Sequence, residues 1–108
     1  MVEKLLIKLG FRSNNFGFRY LVELINLGVR GESIEPLTKN GYVKISNNYG
    51  KSVGSIEKDI QNCINSAWLN GNTDLLYDIF GDTISDVKGK PTNKQFIYTM
   101  IDKIKYCM

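Results

Sequence analysis

From Tyr42 to Trp68 the chain reads YVKISNNYGKSVGSIEKDIQNCINSAW, which permits little besides a short helix, a tight turn at Gly50-Lys51-Ser52 and a long second helix. At about 100° per residue, Val53, Ile56, Ile60, Cys63, Ile64 and Ala67 fall on one apolar stripe, with Trp68 at its edge. A helix patterned this way must bury that stripe against the rest of the chain. Ser52 suits the N-cap, where its hydroxyl can accept from a backbone N–H of the first turn, and Gly50 suits a left-handed exit from the preceding helix. Two helices joined by about three residues have the helix-turn-helix spacing, so the unit is placed at about 43–68.

The other side of the long helix carries Gly54, Ser55, Lys58, Gln61, Asn62 and Asn65, with Glu57 at its border. Amides and ammonium groups are suited to reading base edges, Asn and Gln with adenine, Lys and Arg with guanine. The same composition also describes an ordinary solvated helix face. Lys44, Lys51 and Lys58 cluster around the joint, where a phosphate backbone would pass, although a plain helical hairpin with incidental lysines fits the pattern as well.

Composition narrows the classes further. The 108 residues make one domain with room for one core, and 43% hydrophobic with 23% charged residues is a globular balance. A net charge of +3 permits an anionic partner without demanding one. There is no histidine, which removes the commonest general base and zinc ligand together. The two cysteines, Cys63 and Cys107, make neither a disulfide framework nor a metal site; a reduced, cytoplasmic protein is expected, without cofactor or metal. No apolar run is long enough to span a bilayer, and no arrangement of acids or thiols suits general acid-base or nucleophilic catalysis, so no catalytic residue is assigned.

Taken in order, Val2 to Leu9 reads as an amphipathic helix closed by Gly10, and Phe16 to Leu27 as a second with Tyr20, Leu21, Leu24 and Ile25 inward. Gly28 to Glu35 reads as a linker, Pro36 to Asn40 as a short helical piece that Gly41 breaks, and Val43 to Tyr49 as the first helix of the unit, with Ile45 and Tyr49 meeting the long helix. Asn72 caps a helix over Thr73–Phe80. Thr92 and Gln95 form a capping box for a last helix running to about Tyr106, with Phe96, Ile97, Met100, Ile101 and Ile104 inward. The expected fold is all-α, a compact six-helix domain. Charge is uneven: Asp74, Asp78, Asp82 and Asp86 lie between Leu69 and Val87 without a Lys or Arg, an acidic face open to solvent or to a basic protein partner.

These residues carry a resemblance. Ala67-Trp68, Gly71-Asn72 with Asp74, Phe80-Gly81 and Lys90-Pro91-Thr92-Asn93 with Phe96 occur in the order found in the DNA-binding effector domain of the sporulation master response regulator of endospore-forming bacteria, the stage 0 sporulation protein A family. Leu9-Gly10, Gly17, Tyr20-Leu21, Thr38-Lys39 and Tyr42 fit as well, so the chain resembles that domain over nearly its whole length. The resemblance implies a recognition helix in the major groove of double-stranded DNA, tandem self-association on a short DNA box, and contact with RNA polymerase sigma factor. It matches Glu57, Lys58 and Gln61 to positions where the family presents Glu, Arg and Arg.

On this basis the base-reading candidates are Glu57, Lys58, Gln61 and Asn62, followed by Ser55 and Asn65. The phosphate candidates are Lys44, Lys51 and Ser52, with Lys88, Lys90 and Lys94 nearby, and the sigma-factor surface maps to Asn72, Asp74 and Asp78. The family's regulators carry a receiver domain ahead of this effector, and 108 residues from Met1 leave no room for one; an excised domain and a stand-alone protein both fit. The alternative function is an interaction module that engages a sigma factor or sporulation regulator without binding DNA.

Overall fold

The computed structural model describes residues 1–81 and 89–106. Among them are six α-helices and no strand: α1 (Val2–Leu9), α2 (Phe16–Val29), α3 (Tyr42–Tyr49), α4 (Val53–Asn70), α5 (Thr73–Phe80) and α6 (Asn93–Tyr106). A single π-helical turn, Leu37–Gly41, leads directly into α3. The expected all-α architecture is therefore the observed one.

Helix ends follow local chemistry. Gly10 closes α1 in the left-handed region, its N–H reaching the Ile7 carbonyl while the Phe11 N–H reaches Leu6. Asn72 caps α5 by accepting from the Leu75 N–H at 3.3 Å. At α6 the capping box is reciprocal: Thr92 Oγ1 accepts from the Gln95 N–H at 3.1 Å, and Gln95 Oε1 accepts from the Thr92 N–H at 2.9 Å.

Helices α2 and α4 form the spine, and α6 packs on α2 and touches α4 as well. The α4 stripe of Ile56, Ile60, Cys63, Ile64 and Ala67 is buried against Tyr20, Leu21, Leu24 and Ile25 of α2 and Phe96, Ile97 and Met100 of α6 within one core. At one end the core becomes aromatic. Phe80 stacks on Phe96 with centroids 4.8 Å apart, and Trp68 and Phe11 meet this pair edge-on or tilted, so α4, α5, α6 and the α1–α2 turn converge there.

Three expectations are corrected by contacts distant in sequence. Gly28 is not linker but the penultimate residue of α2; a Cβ there would lie 2.2 Å from Ile101 Cδ1, so the glycine admits α6. Gly41 does not break a helix. It has right-handed helical angles and carries the chain from the π-helical turn into α3, with Ile34, Leu37 and Leu24 packed against its α-carbon. Tyr49 turns to α2 rather than α4: its ring meets Tyr20 edge-on at 5.0 Å and its hydroxyl donates to Glu23 at 2.7 Å.

Candidate nucleic-acid interface

Helices α3 and α4 are joined by Gly50, Lys51 and Ser52 alone. Gly50 has φ 63° and ψ 32°, a conformation in which a side chain is strained. Its N–H and that of Lys51 both reach the Ser46 carbonyl, at 2.9 and 3.3 Å, and the Ser46 hydroxyl donates to the Lys51 carbonyl. Ser52 Oγ accepts from the Ser55 N–H at 3.1 Å and so caps α4. The turn is thus fixed by contacts that each span five residues or fewer. It launches α4 in a set direction.

The rotation of α4 about its axis is set by its neighbours. Gly17, near the start of α2, lies so close that a Cβ would fall 2.2 Å from the Asp59 carbonyl oxygen and 2.8 Å from Cys63 Cβ. Beside it, the Asn15 side-chain amide approaches Cys63 Sγ at 4.0 Å. Burial raises the Cys63 thiol pKa to about 11, opposed by the Asn15 amide, so this cysteine is a protonated core residue. On the opposite edge, Asn93 at the start of α6 donates through Nδ2 to the Glu57 carbonyl at 3.1 Å and to the Tyr42 hydroxyl at 3.4 Å. Asn93 is 7% exposed, and its Oδ1 has no partner among the described residues. Burial raises the Tyr42 hydroxyl pKa; the Asn93 contact opposes the rise and the Glu57 charge adds to it.

With α4 held in this way, Ser55, Glu57, Lys58 and Asn62 are exposed, and Gln61 and Asn65 are half-buried. Gln61 Nε2 donates to Asn65 Oδ1 at 3.2 Å along one face of the helix. The Ser52 and Ser55 hydroxyls lie 3.1 Å apart and are partly occupied with each other. Glu57 and Gln61 also line a groove of about 800 Å³ walled by Glu35 to Thr38, Tyr42, Thr92 to Lys94 and Tyr98.

The lysines separate. Lys51 stands over the exposed Phe16 ring, Nζ 4.2 Å from its centroid, at the mouth of the turn. Lys44 is half-buried and donates to the Ser33 carbonyl at 2.5 Å, so the two ammonium groups are committed to different segments. Lys90 is half-buried and Lys94 exposed, while Lys88 lies outside the described residues. On α5, Asp74 and Asp78 are exposed and Asn72 is occupied as the cap; Asp82 and Asp86 also lie outside the described residues. Pattern reading missed Asn93 and Phe16, the first because a residue just inside a helix start gives no sign of burial. The second was missed because Lys51, which stands over its ring, lies 35 residues further along the chain.

A turn-launched helix with a buried stripe and a polar, amide-bearing outer face is the geometry of a groove-reading element. Residues 2–104 match the sequence model of a family described as Sporulation initiation factor Spo0A C terminal. The chain belongs to this family. It is accordingly a DNA-binding effector domain of the sporulation-regulator type, in a regulatory rather than an enzymatic family. As a Spo0A C-terminal domain it is all-α among its described residues, and none of their helices is long and apolar enough to cross a membrane. No group of three or more His, Cys, Asp or Glu side chains able to hold a metal occurs among those residues either.

Proposed function

We propose that this chain is a sequence-specific regulator of transcription that lays α4 in the major groove of double-stranded DNA, with Lys58, Gln61, Asn62 and Glu57 reading bases. The observation that carries the reading is that Glu57, Lys58 and Asn62 are exposed and Gln61 half-buried on a helix whose opposite stripe, Ile56 to Ala67, is buried in the core. Ser55 and Asn65 flank them. Lys51, Ser52 and the first turn of α4 meet phosphates, where the helix dipole and the lysine charge act together.

Gln61 sets the departure from the family's Arg at this position. Its Nε2 carries two protons; Asn65 accepts one, leaving the second and Oε1 for adenine N7 and N6. The i,i+4 amide pair thereby orients Gln61 before DNA arrives. Lys58 supplies a point charge where the family has a guanidinium fork, which reduces discrimination at its base. The target box therefore differs from the family's at the base facing Gln61.

Selection from a pool of random duplexes tests this. The wild type is expected to enrich a box carrying adenine at one position, and Gln61→Ala to lose that preference at a cost of about 1–3 kcal/mol for that base pair alone. Recovery of the family box unchanged would refute the role of Gln61. No retarded complex with any duplex at low salt would refute the DNA-binding assignment.

Contact with a sigma factor is the second element. Asp74 and Asp78 are exposed on α5 beside Tyr77, which is 48% exposed, so an acidic surface with an aromatic anchor faces solvent one helix away from the DNA-reading side. With Asn72 spent on capping, contact falls to Asp74, Asp78 and Tyr77. Tandem occupation of a box by two copies completes the proposal.

A further inference from the structure

A helix of about 10–12 Å diameter fills a major groove about 12 Å wide, so a docked recognition helix has one phosphate strand along each flank. The two flanks of α4 differ in charge. The α6 side carries Glu57 and Glu35 around its groove, with Lys94. The cations on the α2 side are Arg12 in the turn before α2, Arg19 on α2 and Lys51 in the turn before α4, all exposed.

Contacts around α4 place the segments that bear these cations. The Arg12 carbonyl accepts from the Asn15 N–H at 3.2 Å, and Asn15 in turn approaches Cys63, so the turn bearing Arg12 lies against the third turn of α4. Phe16 is 68% exposed and carries Lys51 on its face; Gly17 next to it packs on the Asp59 backbone. Arg19 follows Phe16 by three residues, on the same side of α2. Its charge also acts on Tyr49, lowering a hydroxyl pKa that the Glu23 hydrogen bond raises. Arg12 and Arg19 are both exposed, and the ion pair found among the described residues joins Arg30 to Glu32 instead. The nearby acids are Glu23, which accepts from Tyr49 and Asn48, and the half-buried Asp59.

We infer that Arg12, Arg19 and Lys51 on its Phe16 platform form a phosphate-binding rim that grips one DNA backbone alongside α4. This rests on the DNA-binding reading above. It supplies the electrostatic anchor that α4 lacks, since Glu57 and Asp59 outweigh Lys58 on the recognition helix. It also assigns a use to Phe16, an aromatic ring that the core leaves out.

The test is fluorescence anisotropy on a 30-base-pair duplex over a series of salt concentrations, comparing the wild type, Arg12→Ala/Arg19→Ala and Arg30→Ala. Because log K falls by about 0.9 per neutralised phosphate for each decade of salt, the double variant should have a slope shallower by about 2 and, at 0.15 M, an affinity roughly 30-fold lower. Base preference should be unchanged, and thermal melts should coincide because both side chains are exposed. Arg30→Ala removes a charge at the far end of α2 and should leave the slope at its wild-type value. A double variant indistinguishable from Arg30→Ala overturns the rim while DNA binding stands. Absence of any wild-type complex at 50 mM salt overturns both.

Discussion

Helix α4 is held in two different ways along its two edges. On the α2 edge the contact is backbone to backbone, with Gly17 against the Asp59 carbonyl and no space for a methyl group. On the α6 edge a polar groove of about 800 Å³ intervenes, bridged by the Asn93 amide reaching the Glu57 carbonyl. The tight edge fixes the axis and rotation of the helix. The loose edge leaves Glu57 and Gln61 facing open space rather than packed neighbours. A reading helix needs both, since a duplex is recognised by a well-placed backbone and by side chains, such as the Asn65-held Gln61, that can reach base edges.

The largest effect should come from the tight edge. Gly17→Ala places a Cβ 2.2 Å from a main-chain oxygen, and neither partner is the flexible end of a side chain, so the helices must separate. A loss of about 3 kcal/mol in urea unfolding is expected, at the upper end for overpacking. A variant as stable as the wild type would mean that the two edges do not differ as described.

Alkaline titration probes the same edge next. The Cys63 thiol has its pKa raised by burial from 9.0 to about 11. Below pH 9 both folded and unfolded chains keep this proton, so its contribution to stability is fully present. Between pH 9 and about 11 the unfolded chain releases the proton while the folded chain retains it, and stability falls as pH rises. At about 1.4 kcal/mol per unit, the decline is on the order of 2 kcal/mol. Tyr42, also raised by burial, acts in the same direction above its ordinary value of 10.0, so the measurement is the difference in slope between the wild type and Cys63→Ala. Equal slopes would show that water reaches Cys63.

What could be read from the sequence divides along the same line. Ser52, Asn72 and the Thr92–Gln95 box act over three residues, and the α4 stripe repeats within one helix, so a single stretch of chain contains each whole interaction. The exposure of Lys58 and Asn62 follows from the same periodicity. Gly28, Gly41 and Tyr49 were misread because their partners lie on other elements: Ile101 on α6, Ile34 in the loop before the π-helical turn, and Tyr20 on α2. Asn93 is the extreme case, with hydrogen-bond partners 51 and 36 residues away. The direction of Lys44 was equally illegible, because a long flexible side chain takes whichever carbonyl the tertiary fold brings near.

The loose edge should respond less. Asn93→Ala deletes two hydrogen bonds, yet its own Oδ1 already lacks a partner among the described residues, and the adjoining groove lets water reach the groups left behind. A loss of about 1 kcal/mol is expected, well below that of Gly17→Ala. A cost above 3 kcal/mol would place the main support of α4 on the α6 side and reverse the comparison.

Gly54 gives the smallest effect on stability and separates support from recognition. It lies in the first turn of α4 on the outward face, and a Cβ there meets nothing within 4 Å. Gly54→Ala should therefore stabilise the fold by about 0.5 kcal/mol, through lost freedom in the unfolded chain and better helix propensity. If the first turn of α4 lies against a DNA backbone, the same methyl group occupies the approach, and affinity for duplex should drop several-fold while stability rises. These opposite signs cannot arise from misfolding, because a disturbed fold would lower both. A variant more stable than the wild type and unchanged in DNA affinity would instead show that the duplex does not touch the start of α4.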